Sequence, residues 1–222
     1  RRAASVALGA VGVLFALRSW ARAAEWRDDA TLFAVTSQRI EDARVEMNLG
    51  LALMRRHDLS GARRHLERAT RISPGALAPL NDLGGVELAL GDLPAAEATF
   101  QRMLAIDPRS ATAQRNLGVV AMQRYDYPLA KGRFEEALRL RPGYPDAREN
   151  LRRVEETLAR AAQHLSLTRG VELPSSDPTF FLSRARACLV LRELACARDA
   201  YSRAKGLAPD LHEPGLEELL VP

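Results

Sequence analysis

Cysteine, lysine, aromatic side chains and long apolar runs are all scarce in this sequence, and each scarcity removes a class of protein. Two cysteines in 222 residues exclude a disulfide-dense scaffold. A composition 47% hydrophobic and 27% charged excludes a disordered or collagen-like chain. Aromatic residues are only 5% of the total, so the core has to be built around Leu, Ala and Gly. Lysine occurs only at Lys131 and Lys205, against thirty arginines, which points to a GC-rich genome. What is present suffices for folding, because a chain of this length buries roughly 70% of its unfolded surface without help from metals or disulfides.

The net charge of +4 and pI near 9.5 invite a nucleic-acid or membrane-surface partner. Residues 1–40 hold six Arg against three acids, whereas residues 41–222 hold 26 basic and 25 acidic residues. Basic and acidic side chains alternate in that nearly neutral body (Arg63, Arg64, Glu67, Arg68; Arg133, Glu135, Glu136, Arg139). Such interleaving belongs to solvated helix faces. A phosphate-binding face needs a stripe of one sign, so no nucleic-acid partner is expected.

The one long apolar run is Ala3–Leu17, fifteen residues bracketed by Arg1 and Arg2 before it and Arg18, Arg22 and Arg27 after it. A bilayer core takes about 20 helical residues, so the run spans only if Trp20 lies at the interface and Arg18 snorkels, or if the span is truncated. Three readings compete. Residues 1–20 are the last membrane helix of a larger protein, or a secretory signal with Ala21-Arg22-Ala23 at its end, or a buried soluble helix. The first accounts best for Trp20 and Trp26 as interfacial aromatics, and for a chain that begins at Arg1.

Past residue 40 the sequence repeats. Leu49, Leu83 and Leu117 are spaced by 34, as are Gly50, Gly84 and Gly118, then Ala62, Ala96 and Ala130, then Pro74, Pro108 and Pro142. Two further matches in both the Gly and the Pro column have a chance of about 1 in 100,000 at this composition. Thirty-four residues hold two antiparallel helices of about 13 residues and two turns. Glycine costs about 1 kcal/mol inside a helix, so three at one register imply close packing, with the three alanines opposite them. Leu66, Phe100 and Phe134 fill the interior, and the prolines end each second helix.

These residues resemble the tetratricopeptide repeat family. The first unit supplies Leu49-Gly50, Leu53, Ala62, Leu66, Ala69 and Pro74. The second supplies Leu83-Gly84, Ala96, Phe100 and Pro108 but departs at Glu87 and Met103. The third supplies Leu117-Gly118, Ala121, Ala130, Phe134, Ala137 and Pro142, and the early Trp of the pattern is replaced by Glu46, Leu80 and Gln114. The resemblance covers residues 43–142 and implies an all-α solenoid of helix hairpins, preceded here by a membrane helix. A junction helix at 21–42 would link the two. After the repeats come a capping helix at 143–165, a linker at 166–177, a fourth hairpin at 178–209 with Ala185 in place of Gly, and a partly ordered tail at 210–222.

No catalytic pattern, cofactor motif or metal-ligand spacing emerges, so neither cofactor nor small-molecule substrate is called for. The histidines His57, His65, His164 and His212 are scattered over turns, helix faces and tail, and neighbouring acids such as Glu135-Glu136 and Glu155-Glu156 point apart on a helix. Cys188 and Cys196 fall across one hairpin, as a disulfide in an oxidising compartment or as two small buried residues. In this family the concave groove lined by first helices binds protein segments. By register it would show Arg44, Met47, Leu51 and Arg55, then Asn81, Gly85 and Leu88, then Arg115, Val119 and Met122. Met47 and Leu51 stand where a carboxylate clamp of Lys and Asn would be, so an apolar floor with Arg edges is expected to take a segment with acidic flanks instead. Several of these residues pack between repeats in the alternative reading.

The passage from Arg18 through Trp20, Trp26, Arg27 and Asp28 to Leu32-Phe33 is similar to the junction in multi-pass O-mannosyltransferase-like membrane proteins. That resemblance implies an enzyme whose catalytic part lies upstream. The leading expectation is a membrane-attached interaction scaffold, outside the cytoplasm, that binds a protein or peptide. The others are the acceptor-binding end of such a transferase and a soluble adaptor.

Overall fold

The computed structural model describes residues 29–38, 40–168 and 177–220. Among them all regular structure is helical, in eleven helices. They fall into two compact units that divide between Ile106 and Asp107. The first unit holds α1 (Asp29–Ser37), α2 (Ala43–Arg55), α3 (Leu59–Ile72), α4 (Leu77–Ala89) and α5 (Leu93–Ile106). In it α2 pairs with α3 and α4 with α5, while α1 packs on α2 and α3 packs on α4. The second holds α6 (Ala111–Gln123), α7 (Tyr127–Leu140), α8 (Pro145–Thr168), α9 (Pro178–Val190), α10 (Leu194–Leu207) and α11 (Pro214–Leu220). There α6 pairs with α7 and α9 with α10, with α8 packed against α7 and α9.

Each hairpin turn is built the same way. The chain leaves the first helix through one left-handed residue, His57, Gly91, Tyr125 or Arg192, at φ between 58° and 76°. Only Gly91 adopts this at no steric cost. The next residue caps the second helix: Asp58 accepts from the Gly61 N–H, Asp92 from Ala95 and Asp126 from Leu129. Those three aspartates are themselves 34 apart, a column that complements the Leu, Gly, Ala and Pro columns. Glu193 holds the place in the last hairpin, and its longer side chain makes no capping bond.

The glycine column is explained by what stands over it. A Cβ on Gly84 would lie 2.4 Å from the Phe100 ring, on Gly118 2.6 Å from Phe134, and on Gly50 2.7 Å from Leu66. All three large side chains are fully buried. Ala62 does lie against Gly50, its carbonyl oxygen 3.3 Å from where a Cβ would stand, but the side chain over each glycine is the one a helical turn beyond Ala62, Ala96 or Ala130. Those alanines, also fully buried, let the two helices approach closely enough for the ring to reach across.

Two elements differ from expectation. The long helix α8 runs on to Thr168 rather than stopping at 165, with Ser166 and Thr168 hydroxyls donating to the carbonyls of Gln163 and His164. The segment expected to be a partly ordered tail contains α11. Leu216 and Leu220 of α11 are buried in a cluster with Leu182, Cys188, Leu189 and Tyr201. Its Glu217 carboxylate accepts from the Tyr201 hydroxyl at 2.6 Å and pairs with Lys205 at 3.0 Å. These partners hold the carboxyl below its ordinary range, while burial and the Glu217 bond push the Tyr201 phenol up to about 12. The expected membrane helix at 1–20 and residues 21–28 and 39 of the junction lie outside the described residues; within the rest of the junction, Asp29–Ser37 forms the helix α1. Among the described residues no helix is long and apolar enough to cross a membrane.

Candidate functional site

The first-helix residues are placed by the hairpins, within each unit. On α2, Arg44 and Arg55 are exposed, and Met47 and Leu51 are half-buried. A helix advances about 100° per residue, so Arg44, Met47, Leu51 and Arg55 share one stripe of α2. Arg55 reaches Asp29 of α1 at 2.8 Å. On α4, Asn81 and Leu88 are half-buried, and beside them a Cβ at Gly85 would meet nothing within 4 Å. The backbone of α4 is therefore uncovered on this side, while one residue away Gly84 is pressed under Phe100. On α6, the Arg115 guanidinium donates to Asn116 at 2.8 Å and lies 3.4 Å from Asp146 of α8.

Part of the apolar set is shared with the packing. Met47 lies against the Leu66, Leu83 and Val86 cluster, and Val119 and Met122 lie against the Phe134 and Val154 cluster. All three are half-buried, so each offers only an edge to a ligand. Sequence reasoning passed over Asp82, the neighbour of Asn81. Burial pushes its carboxyl above the ordinary range, with only the Asn81 amide opposing.

Two buried acids were legible only as departures from the repeat. Glu87 is buried and accepts from the Thr99 hydroxyl at 2.7 Å, and burial pushes its carboxyl up. Glu46 is fully buried where Leu80 sits in the next repeat. Its carboxylate takes Ser37 at 2.8 Å, His65 at 2.7 Å and Arg68 at 3.3 Å, tying α1 and both helices of the first hairpin together. The available signal was an acid at a register position that asks for an apolar residue.

For metal chemistry the described residues offer one grouping, Cys188, Glu193 and Cys196, with ligand atoms within 4.8 Å of one another. The sulfurs of Cys188 and Cys196 are joined to each other across the α9–α10 hairpin, with Cα atoms 5.7 Å apart, so Glu193 is left as the sole donor.

Comparison with known proteins is consistent with this geometry. The tetratricopeptide repeat family model matches residues 47–111 and again 81–145. Among solved structures, the Sgt2 tetratricopeptide domain of Aspergillus fumigatus is 22% identical, with 61% of this chain and 87% of that one covered at a TM-score of 0.52. A thermophilic repeat protein of Thermus thermophilus is 20% identical over 80% of this chain and 96% of its own, at 0.50. The first repeat domain of Spaghetti, bound to the HSP90 peptide SRMEEVD, is 19% identical over 53% of this chain and 94% of its own, also at 0.50. At these identities the likeness is one of fold. No curated protein matches the chain.

Proposed function

We propose that the tetratricopeptide repeats at residues 47–145, with the hairpin helices around them, form a docking module for protein segments that carry acidic residues beside apolar ones. The observation that carries this reading is the uncovered first-helix side of the first unit. There Gly85 faces open space, and the exposed guanidiniums of Arg44 and Arg55 flank half-buried Met47 and Leu51. On α6 of the second unit, half-buried Arg115, paired with Asp146, supplies a further guanidinium. Guanidinium forks favour carboxylates, and the apolar edges supply the burial. The acidic peptide held by the Spaghetti repeats supports a ligand of this kind.

Replacing Arg44, Arg55 and Arg115 together with Glu tests the reading. Peptides selected from a random display library on the full chain are expected to be acidic and to bind the triple variant at least tenfold more weakly, about 1.4 kcal/mol, with helicity unchanged. Selected peptides that ignore the triple substitution would sink this choice of face.

The module is held at a membrane by Ala3–Leu17 and works outside the cytoplasm. The arginine brackets of that run support the first statement, and the joined Cys188 and Cys196 support the second, since disulfides persist in oxidising compartments. The full chain is then expected to pellet with membranes and to resist extraction by salt. Its complete recovery in the soluble fraction would refute the anchor.

A further inference from the structure

The first unit has a second concavity. Between α1 and the first hairpin lies a cleft of about 520 Å³, within the range of roughly 300–1,000 Å³ in which compact ligands are held. Ala34 and Val35 of α1 and Leu49 and Leu53 of α2 line its apolar part. Leu49 and Leu53 lie about 160° round α2 from Arg44, Leu51 and Arg55, so this is a different face from the one proposed above.

Its rim is basic. Arg56, Arg64 and Arg68 line the cleft, against the single acid Asp58. Asp58 is already engaged, accepting from the Gly61 N–H and the Ser60 hydroxyl. Arg68 is tied to buried Glu46, and so is the neighbouring His65. Arg64 is exposed and, among the described residues, makes no side-chain hydrogen bond, its charge acting on Asp58 only through space. An apolar cleft is thus edged by a guanidinium with its fork still to fill.

We infer that this cleft docks an acidic, leucine-bearing segment of a partner protein, its apolar side chains against Ala34, Val35 and Leu53 and a carboxylate on Arg64. Charge decides between occupants. The chain's own residues 1–28 carry five arginines against Glu25 and Asp28, a net +3 of the same sign as the rim, whereas an acidic partner pairs with it. Arginine suits the role because its planar fork binds a carboxylate through two parallel bonds.

The test uses the full chain and two labelled peptides, LEELLEEL and its lysine twin LKKLLKKL, followed by fluorescence anisotropy. The acidic peptide is expected to bind and the twin not to. Arg64→Glu, at an exposed position that leaves folding intact, is expected to weaken the acidic peptide at least tenfold, while the Arg44, Arg55 and Arg115 triple variant binds it as before. A benzophenone amino acid in place of Gln38 on the cleft wall should cross-link to the peptide. Failure of the acidic peptide to bind, or binding indifferent to Arg64→Glu, overturns the inference. Loss through the triple variant overturns it too, and leaves the first-helix face standing as the site. Cross-links that return only residues 1–28, or a second copy of the chain, would show the cleft to be filled from within.

Discussion

Gly84→Ala and Gly85→Ala, the same change at adjacent residues of one helix, are expected to move stability in opposite directions. At Gly85 the added methyl meets nothing within 4 Å, so the variant gains helix propensity and is stabilised by about 0.5–1 kcal/mol. At Gly84 the same methyl would come 2.4 Å from the Phe100 ring. Phe100 is fully buried and cannot swing aside, so the helices must part or the ring must leave its rotamer. Overpacking of this kind costs about 1–3 kcal/mol, which outweighs the propensity gain. Gly84→Leu, with three more carbons to place, is expected to cost about 3 kcal/mol or more and to expose the core between α4 and α5. Urea unfolding followed by circular dichroism measures all three. Equal effects at the two glycines would mean that the ring does not hold the position shown.

Removing the Glu46 carboxylate should release α1 from the first hairpin. Glu46→Ala takes away the acceptor shared by Ser37, His65 and Arg68 and leaves a void at a fully buried site. Breaking a buried pair costs about 3–5 kcal/mol when the surviving charge stays buried. Here Arg68 is 46% and His65 23% exposed, so both partners can turn to water, and a loss of about 2–3 kcal/mol is expected. Glu46→Leu refills the space with the residue that the second repeat carries as Leu80, and should cost less than Glu46→Ala. Hydrogen exchange separates a local from a global effect: the amides of residues 29–37 should lose protection in Glu46→Ala before those of α4 and α5. Unchanged protection in α1 would show that its apolar contacts alone hold it.

Much of the fold was legible in the columns. A 34-residue period with Leu-Gly, Ala and Pro in register demands paired helices, because no other element brings residues at those offsets to one interface. The proline column marks the ends faithfully: Pro74, Pro108, Pro142 and Pro209 each stand two residues beyond the last helical residue. The capping column of Asp58, Asp92 and Asp126 was equally present and was overlooked, because acids spaced along a charged chain do not stand out until a turn gives them an N–H to accept. The candidate site was less legible. Periodicity puts Met47, Val119 and Met122 on the first-helix stripe, but how far a neighbouring helix covers them depends on crossing geometry. So does the half-burial of Asp82 beside Asn81.

The residues alone therefore determined the repeat, its helical hairpins, where their turns fall, and the sign of the charge along the chain. These follow from local spacing and backbone preference, which a single chain states directly. Tertiary packing alone decided which side chain stands over each repeat glycine, that Glu46 is a buried hub and not a surface acid, and that a basic cleft opens beside α1. Each depends on residues brought together from different helices, whose distances no spacing along one helix encodes.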